Sequence, residues 1–582
     1  MRFPFFRSRT SEDAPPSAKQ SRSRSAHRRR RIRQATQLFF FALFLFLVFG
    51  SHGIPTATGW RVASPIPPET LFLLDPLTYL GATIASRTLI AQSIVLILIL
   101  AAATLVWGRV FCGWICPLGT AIDISGRYLR PKRLEMRAAR EGKTRQPEKV
   151  LGTLFSSRTK YYILFFIFVL ALFGVNTAGW LDPLAILLRG TAFALVPAGE
   201  YVFENSLGKW VYRGGVFDVI LPWYLWLRDT ATAPFPHAYS QAILHLGILL
   251  GVLALSRIRR RYWCNVLCPL GAFWGLLARV GIYKRRVVPA RCNECSTCAL
   301  VCRMEAVPMK AAATVDPSEC VWCMECADAC PKGGIEFTRR PSDPEAWQER
   351  TVLDLTRRGV LGAIGASVLA YPLMRLRSSA TVAGGGDADI PLALDAHLLR
   401  PPGARPEDQF LQLCIRCGEC YRICPQNALH PLLFQAGADG LWTPAVVPRL
   451  GYCEPSCTLC AEVCPTTALQ TMSAKDKLVR GRIGTAEFDR ARCIPWVRGI
   501  DCSVCEEMCP VAPKAIRLRN VTVIDEVGRT VRIRAPIVLE DRCIGCGICE
   551  NKCPLEGHSA VRVVRRSESR HQSISSPSDG YQ

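Results

Sequence analysis

Cys292-Asn293-Glu294-Cys295-Ser296-Thr297-Cys298-Ala299-Leu300-Val301-Cys302 and Cys320-Val321-Trp322-Cys323-Met324-Glu325-Cys326-Ala327-Asp328-Ala329-Cys330 set the fold of the region that holds them. Each run has the spacing C-x2-C-x2-C-x3-C, the bacterial ferredoxin pattern. Three thiolates on one short loop reach three corners of a cubane, and the fourth, at the start of a helix, serves the neighbouring cluster. On that logic Cys292, Cys295, Cys298 and Cys330 hold one [4Fe–4S] cluster, and Cys320, Cys323, Cys326 and Cys302 hold another. Arg303 stands where a proline usually follows the first run, which loosens the turn but removes no ligand. Residues 284–340 are therefore expected to form a two-cluster α+β module.

The same grammar recurs downstream. Cys414, Cys417, Cys420 and Cys424, followed by Pro425, are regular, as are Cys543, Cys546, Cys549 and Cys553 with Pro554. Cys453, Cys457, Cys460 and Cys464 carry one extra residue in the first gap, and Cys493 stands eight residues before the closely spaced Cys502, Cys505 and Cys509. Both variants keep four thiols and a trailing proline, Pro465 or Pro510. Residues 400–565 are thus expected to be a second α+β module with four clusters, six in all. Two pairings are open there: neighbouring groups exchange their fourth ligands, or the first group pairs with the last around a nested middle pair. Zinc also uses C-x-x-C pairs, but normally two pairs far apart, so the runs favour iron–sulfur chemistry.

These groups account for all but four of the 28 cysteines. The others form two C-x-x-x-C-P pairs, Cys112 with Cys116 and Cys264 with Cys268, each at the end of an apolar segment. They belong to an internal repeat. Leu74-Asp75-Pro76-Leu77 precedes an apolar run and Cys112 to Gly119, and Leu181-Asp182-Pro183-Leu184 precedes another run and Cys264 to Gly271. Four such thiols suit one further metal site, whether cluster, copper or zinc, or dithiol cycling; the plainer reading is buried helix-end cysteine. Asp75-Pro76 and Asp182-Pro183 read first as helix starts, Asp capping and Pro at N1. His52, His237 and His245 lie near apolar segments and suit proton transfer to a quinone.

The chain has 582 residues and a formal net charge of +25, with a mean hydropathy of +0.17. Apolar runs at Leu38–Phe49, Leu89–Val106, Tyr161–Val175 and Ala242–Leu255 approach the length of a membrane span. Val216–Leu227, with Trp223, Tyr224 and Trp226, resembles an interfacial belt. Arginines cluster beside these runs, at Arg28–Arg31, Arg33, Arg257 and Arg259–Arg261. That is the positive-inside pattern of a membrane protein and not a nucleic-acid footprint. The expected fold is an α-helical membrane bundle over 35–283, with about four spans, one later hydrophobic segment and the two ferredoxin-like modules. A basic disordered cytoplasmic tail is expected over 1–34 and a second tail over 566–582.

Arg357 and Arg358 precede a Gly/Ala-rich apolar stretch ending near Met374. Residues 355–383 read as a twin-arginine-like export signal or anchor, with Thr381-Val382-Ala383 suited to cleavage and a Gly384–Gly386 linker beyond. An ordinary membrane helix with a basic flank gives the same topology. A third arrangement keeps everything cytoplasmic, with Val360–Met374 as a buried helix.

Gly108–Gly119, its repeat at Cys264–Gly271 and the two runs after Lys284 resemble the NapH-type membrane ferredoxins, a group that includes relatives of NosR and CcoG. Residues 355–563, with the arginine pair and the irregular group at Cys493, resemble NapG/MauM-type four-cluster periplasmic ferredoxins. The chain looks like a fusion of the two. The resemblance implies a multi-pass protein of the bacterial inner membrane, with 284–340 cytoplasmic and 400–565 periplasmic. It also implies quinol oxidation: electrons leave the membrane quinol pool and pass through clusters to a periplasmic cytochrome or reductase. The competing implication, from NosR and CcoG relatives, is a redox or maturation factor for a copper enzyme.

Overall fold

The computed structural model describes residues 16–129, 156–208, 237–339, 355–375 and 397–573, apart from a few short gaps. The belt aromatics Trp223, Tyr224 and Trp226, the Thr381-Val382-Ala383 site and the Gly384–Gly386 linker lie outside the described residues.

The apolar runs become a helical layer made of α1 (Pro16–Gly50), α2 (Pro76–Ser86), α3 (Ile94–Trp107), α4 (Pro117–Leu129), α5 (Thr159–Leu172), α6 (Pro183–Gly190), α7 (Ala242–Ala254), α8 (Pro269–Arg279) and α9 (Arg357–Arg375). Proline opens α2, α4, α6 and α8, at the position where its missing N–H leaves no hydrogen bond unmade. Asp75 and Asp182 cap α2 and α6, accepting from the backbone N–H groups of Leu77 at 3.0 Å and Ala185 at 2.8 Å. The helix-start reading of both Asp-Pro pairs holds, and the two buried carboxyl groups also meet each other across the repeat.

Two helical stretches, Ala26–Gly50 of 25 residues and Pro183–Val202 of 20, are long and apolar enough to cross a membrane. Ala91–Trp107, Thr159–Leu172 and Ala242–Arg257 are apolar but shorter. Each of the four expected spans falls on one of these helices, but only the first lies in a full-length one. The stretch over 183–202 escapes a hydropathy reading because Arg189 and Gly190 interrupt it. In the fold Arg189 donates to the carbonyls of Arg416 at 2.9 Å and Gly179 at 3.1 Å, and a π-helical turn at Thr191–Leu195 carries the helix onward.

Three helices run from one cysteine-rich module to the other. At the middle of α1, Arg33 donates to Glu325 at 2.8 Å, while at its C-terminal end the carbonyls of Leu47 and Val48 accept from Arg422 at 3.0 and 3.2 Å. Lys160 of α5 pairs with Glu319, and Asn176, just past its other end, donates to the Gln412 carbonyl at 2.9 Å. α9 lies alongside α5 in the same direction: Gly359 packs on Tyr162, and Tyr371 lies 5.3 Å from Phe173 between ring centroids. Only Ala363 and Ser367 of α9 are buried, so Val360–Met374 is not the buried helix expected of the third arrangement.

Both tails need correction. From Pro16 onward the expected N-terminal tail is helix, and Arg33 is 1% exposed against the first module. At the other end, Arg570 pairs with Glu407 at 2.6 Å and the His571 carbonyl accepts from Gln470 at 2.6 Å, so the second module extends past 565. Charge complementarity that spans long sequence separations outweighs a locally polar composition in both places.

The first module is closed by an antiparallel pair, Lys284–Val287 with Ile335–Thr338, and holds short helices at Thr297–Val301 and Glu325–Ala329. The second is built from small antiparallel pairs, including Thr485–Phe488 with Val561–Val564 and a long hairpin, Ile516–Ile524 with Thr530–Val538. Both match the expected α+β ferredoxin-like design.

Candidate metal centres

The cysteine loops share a backbone signature. In each regular run the second residue after the first cysteine and the residue after the second cysteine have positive φ: Glu294 and Ser296, Trp322 and Met324, Arg416 and Gly418, Gly545 and Gly547. Left-handed residues alternating with ordinary ones turn successive N–H groups toward one point, a nest for an anion. Most of these residues are not glycine, and each then costs roughly 1–2 kcal/mol in that conformation, a cost offset by what the loop binds.

The thiols converge in quartets. One cavity is lined by Cys292, Cys295, Cys298 and Cys330, and another by Cys302, Cys320, Cys323 and Cys326. This is the exchange of fourth ligands expected for 284–340. In the second module, Cys414, Cys417, Cys420 and Cys464 line one cavity, and Cys493, Cys502, Cys505 and Cys553 line another. Cys424 lies with Cys453, Cys457 and Cys460, and Cys509 with Cys543 and Cys546. Neighbouring groups therefore pair, and the nested alternative fails. The two pairs are joined where the Cys453 N–H donates to the Cys546 carbonyl at 2.8 Å.

The donor chemistry fits iron. Burial pushes the Cys493 thiol up to about 11 and the Cys505 thiol up to about 12, so neither is a thiolate near neutral pH without a cation to hold it. Lys477 donates to the carbonyls of Glu454 and Cys457, both at 2.6 Å, which sets a buried cation beside the Cys453 group.

The C-x-x-x-C-P cysteines do face each other. Cys112, Cys116, Cys264 and Cys268 are all buried in one core cluster, within electrostatic reach of one another. Around them lie residues that motif spacing does not single out. Arg109 donates to Glu319 at 2.8 Å and to the Ser318 carbonyl at 3.0 Å. Arg261 grips Asp123 with two bonds of 2.8 Å, and Asp123 also accepts from Arg303 at 2.8 Å. Arg303, the residue in place of proline, pairs with Glu325 as well. Arg109 and Arg261 each stand three residues before the first cysteine of a pair, a signal that aligning the repeats one turn further upstream would have shown.

His237 Nε2 is hydrogen-bonded to the Cys424 carbonyl at 2.8 Å. His52 is buried within electrostatic reach of it. His245 packs between Phe193 and Trp442, 5.0 Å from each ring centroid, and its Nε2 has no hydrogen-bond partner among the described residues. All three therefore lie toward the second module. Arg357 and Arg358 are exposed at the start of α9, where the Thr356 hydroxyl accepts from the Gly359 N–H at 3.2 Å.

Comparison with known proteins agrees with this chemistry. Family models, each described as a 4Fe–4S binding domain, match residues 91–137 and 241–287, 411–430 and 536–556, and 317–333. The methylamine utilization ferredoxin-type protein MauM of Methylorubrum extorquens is 40% identical over 179 residues, 30% of this chain and 74% of its own length. The chain belongs to the MauM/NapG ferredoxin-type family. MauM of Paracoccus denitrificans is 36% identical over 182 residues, 30% of this chain and 74% of its own. The ferredoxin-type protein NapG of Escherichia coli is 36% identical over 171 residues, 28% of this chain and 70% of its own. No solved structure matches. As a member of this family the chain carries several [4Fe–4S] clusters and transfers electrons. A bound cluster supplies reversible one-electron exchange; the chain's part is to supply thiolates, direct N–H groups at sulfur and exclude water.

Proposed function

We propose that this chain is an inner-membrane iron–sulfur relay, a NapH-like membrane ferredoxin fused to a NapG/MauM-type module, which oxidises quinol and delivers single electrons to a periplasmic acceptor. Six [4Fe–4S] clusters form the relay, two in the cytoplasmic 284–340 module and four in the periplasmic 400–565 module. The observation that carries this reading is the position of the two modules at opposite ends of α5, of the parallel α9 and of the second half of α1. The 19 residues of α9 extend about 28 Å at 1.5 Å per residue, close to the roughly 30 Å of a bilayer's hydrocarbon core. The flanks between the modules are apolar and open: Phe39 of α1 is 63% exposed, Ile243 of α7 86% and Leu369 of α9 73%. A girdle of this kind suits lipid. Arg357 and Arg358 at the cytoplasmic end of α9 act as the export and orientation signal.

Quinol oxidation releases two protons with two electrons. His245, His237 and His52 lie where the helices meet the second module, so a quinol headgroup there would have imidazoles for its protons and, for its electrons, the cluster that Cys424, Cys453, Cys457 and Cys460 would hold, the Cys424 carbonyl being bonded to His237. The Cys493 and Cys553 group, at the far end of the four, faces the acceptor, a cytochrome or reductase.

The test is EPR on oriented membrane vesicles holding the full chain, with a reduced quinol analogue added and an impermeant oxidant outside. Cluster signals should appear with quinol, and those of the 400–565 module should be bleached by the oxidant. Vesicles in which quinol reduces no cluster would overturn the quinol reading. Bleaching of the 284–340 signals alone would reverse the topology.

A further inference from the structure

The two C-x-x-x-C-P pairs sit on elements that repeat in detail. Cys112 and Cys264 lie in π-helical turns, Phe111–Ile115 and Trp263–Leu267. Cys116 and Cys268 stand immediately before α4 and α8, and the Cys268 sulfur accepts from the Gly271 N–H at 3.3 Å. The arginines are exchanged between the repeats. A Cβ on Gly271 of the second repeat would meet Arg109 Nη2 of the first at 2.6 Å, and one on Gly119 of the first would meet Arg261 Nη2 of the second at 3.6 Å. Gly271 thus leaves room for the opposite guanidinium, and Gly119 lies in ordinary contact with the one opposite it. Arg109 is fully buried and Arg261 3% exposed, and Arg109 Nε and Trp263 Nε1 are buried without a partner among the described residues.

We propose that Cys112, Cys116, Cys264 and Cys268 together bind a seventh [4Fe–4S] cluster, one cubane shared by both repeats, with Arg109 and Arg261 as its countercharge. Four thiolates on an oxidised cubane leave a doubly negative group, and Arg109 and Arg261 offset it because Lys160 and Arg303 share their carboxylate partners, Glu319 and Asp123.

The site abuts the first module. The Arg109 N–H donates to the Cys320 carbonyl at 3.4 Å, and a Cβ on Gly113 would lie 2.5 Å from the Val321 carbonyl oxygen. One electron passes from the reduced Cys302/Cys320/Cys323/Cys326 cluster to the oxidised shared one, or back, with no bond or proton changing place. This inference rests on the chain being an iron–sulfur relay but not on quinol as its donor.

The test is metal and acid-labile sulfide analysis of the full-length chain purified without oxygen, with dithionite-reduced samples followed by EPR and redox titration. The intact chain should hold about 28 iron and about 28 sulfide, four of each per cluster, and the Cys116→Ser/Cys268→Ser double variant about four fewer of each. Intact protein with about 24 iron overturns the proposal, whatever its copper or zinc content. Because that count needs no variant, misfolding of the double variant does not obscure the result. Arg109→Gln and Arg261→Gln should keep the iron and lower one midpoint potential, since loss of a nearby cation disfavours the extra electron; Arg→Lys should restore it. An unchanged potential in both Gln variants removes the countercharge role. Dithionite reduction is independent of quinol, so failure here is distinct from failure of the quinol reading.

Discussion

Where the 284–340 module rests on the helical layer, charges alternate: Arg33, Glu325, Arg303, Asp123 and Arg261 form one chain of contacts between 2.5 and 2.8 Å. Arg109 and Lys160 close on Glu319 beside it. The 400–565 module is held differently. There arginines and tyrosines donate to backbone carbonyls, as Arg189 does to Arg416 at 2.9 Å, Tyr79 to Pro465 at 3.1 Å and Tyr239 to Tyr421 at 3.1 Å. Gly179 lets the Ile415 carbonyl come so close that a Cβ would lie 1.8 Å from its oxygen. One face is matched by buried charge and the other mainly by shape, with the more exposed Arg375 of α9 pairing with Asp408 at 3.2 Å. A buried ion-pair chain is costly to break from one side, whereas a carbonyl-lined face depends on the backbones being able to approach.

The sharpest break should come at Asp123. Asp123→Asn leaves Arg261 and Arg303 buried with too little countercharge, an expected loss of about 3–5 kcal/mol. Thermal scans followed at the cluster absorbance should show the first module melting early while the second holds; a single unshifted transition would contradict the charge account. Gly179→Ala should act on the other module, through overpacking of about 1–3 kcal/mol. Hydrogen exchange should rise in the loop around Ile415 and stay unchanged around Cys320, and a rise at both would dissolve the distinction.

Acid should give the smallest and most graded effect. Burial alone would raise the Glu407 carboxyl, but Arg400 and Arg570 outweigh it and hold the carboxylate below its usual range. A depressed folded value means stability that is fully present above the unfolded value, about 4.3 for Glu. It is lost as pH falls below that, by about 1.4 kcal/mol per pH unit until the folded value is reached. Comparing denaturant midpoints of the full chain and Glu407→Gln between pH 3 and 6, the gap should narrow only below about pH 4.3; a constant gap would mean the carboxylate does not titrate with unfolding.

Much of the chemistry is legible before folding. Ferredoxin ligands sit on short loops, so spacing alone identifies all four thiols of each group, even in the irregular runs at Cys453 and Cys493. Helix starts at Asp75 and Asp182 are equally local. Helix length is less so, because the stretch over 183–202 contains an arginine whose polar partners come from a distant module. Arg303 illustrates the limit: as a sequence feature it is a missing proline, and its role exists only because Asp123 and Glu325 arrive from two other elements.

What the sequence determined by itself is therefore the ligand set, the cluster chemistry and the repeat, since each follows from contacts over a few residues. Tertiary structure alone decided that neighbouring groups in 400–565 exchange their fourth cysteines. It alone brought Cys112, Cys116, Cys264 and Cys268 together, crossed Arg109 and Arg261 between the repeats, and set the two modules at opposite ends of the helices. Those are matters of which distant surfaces meet, and complementarity of charge and shape across a packed interior has no counterpart in local spacing.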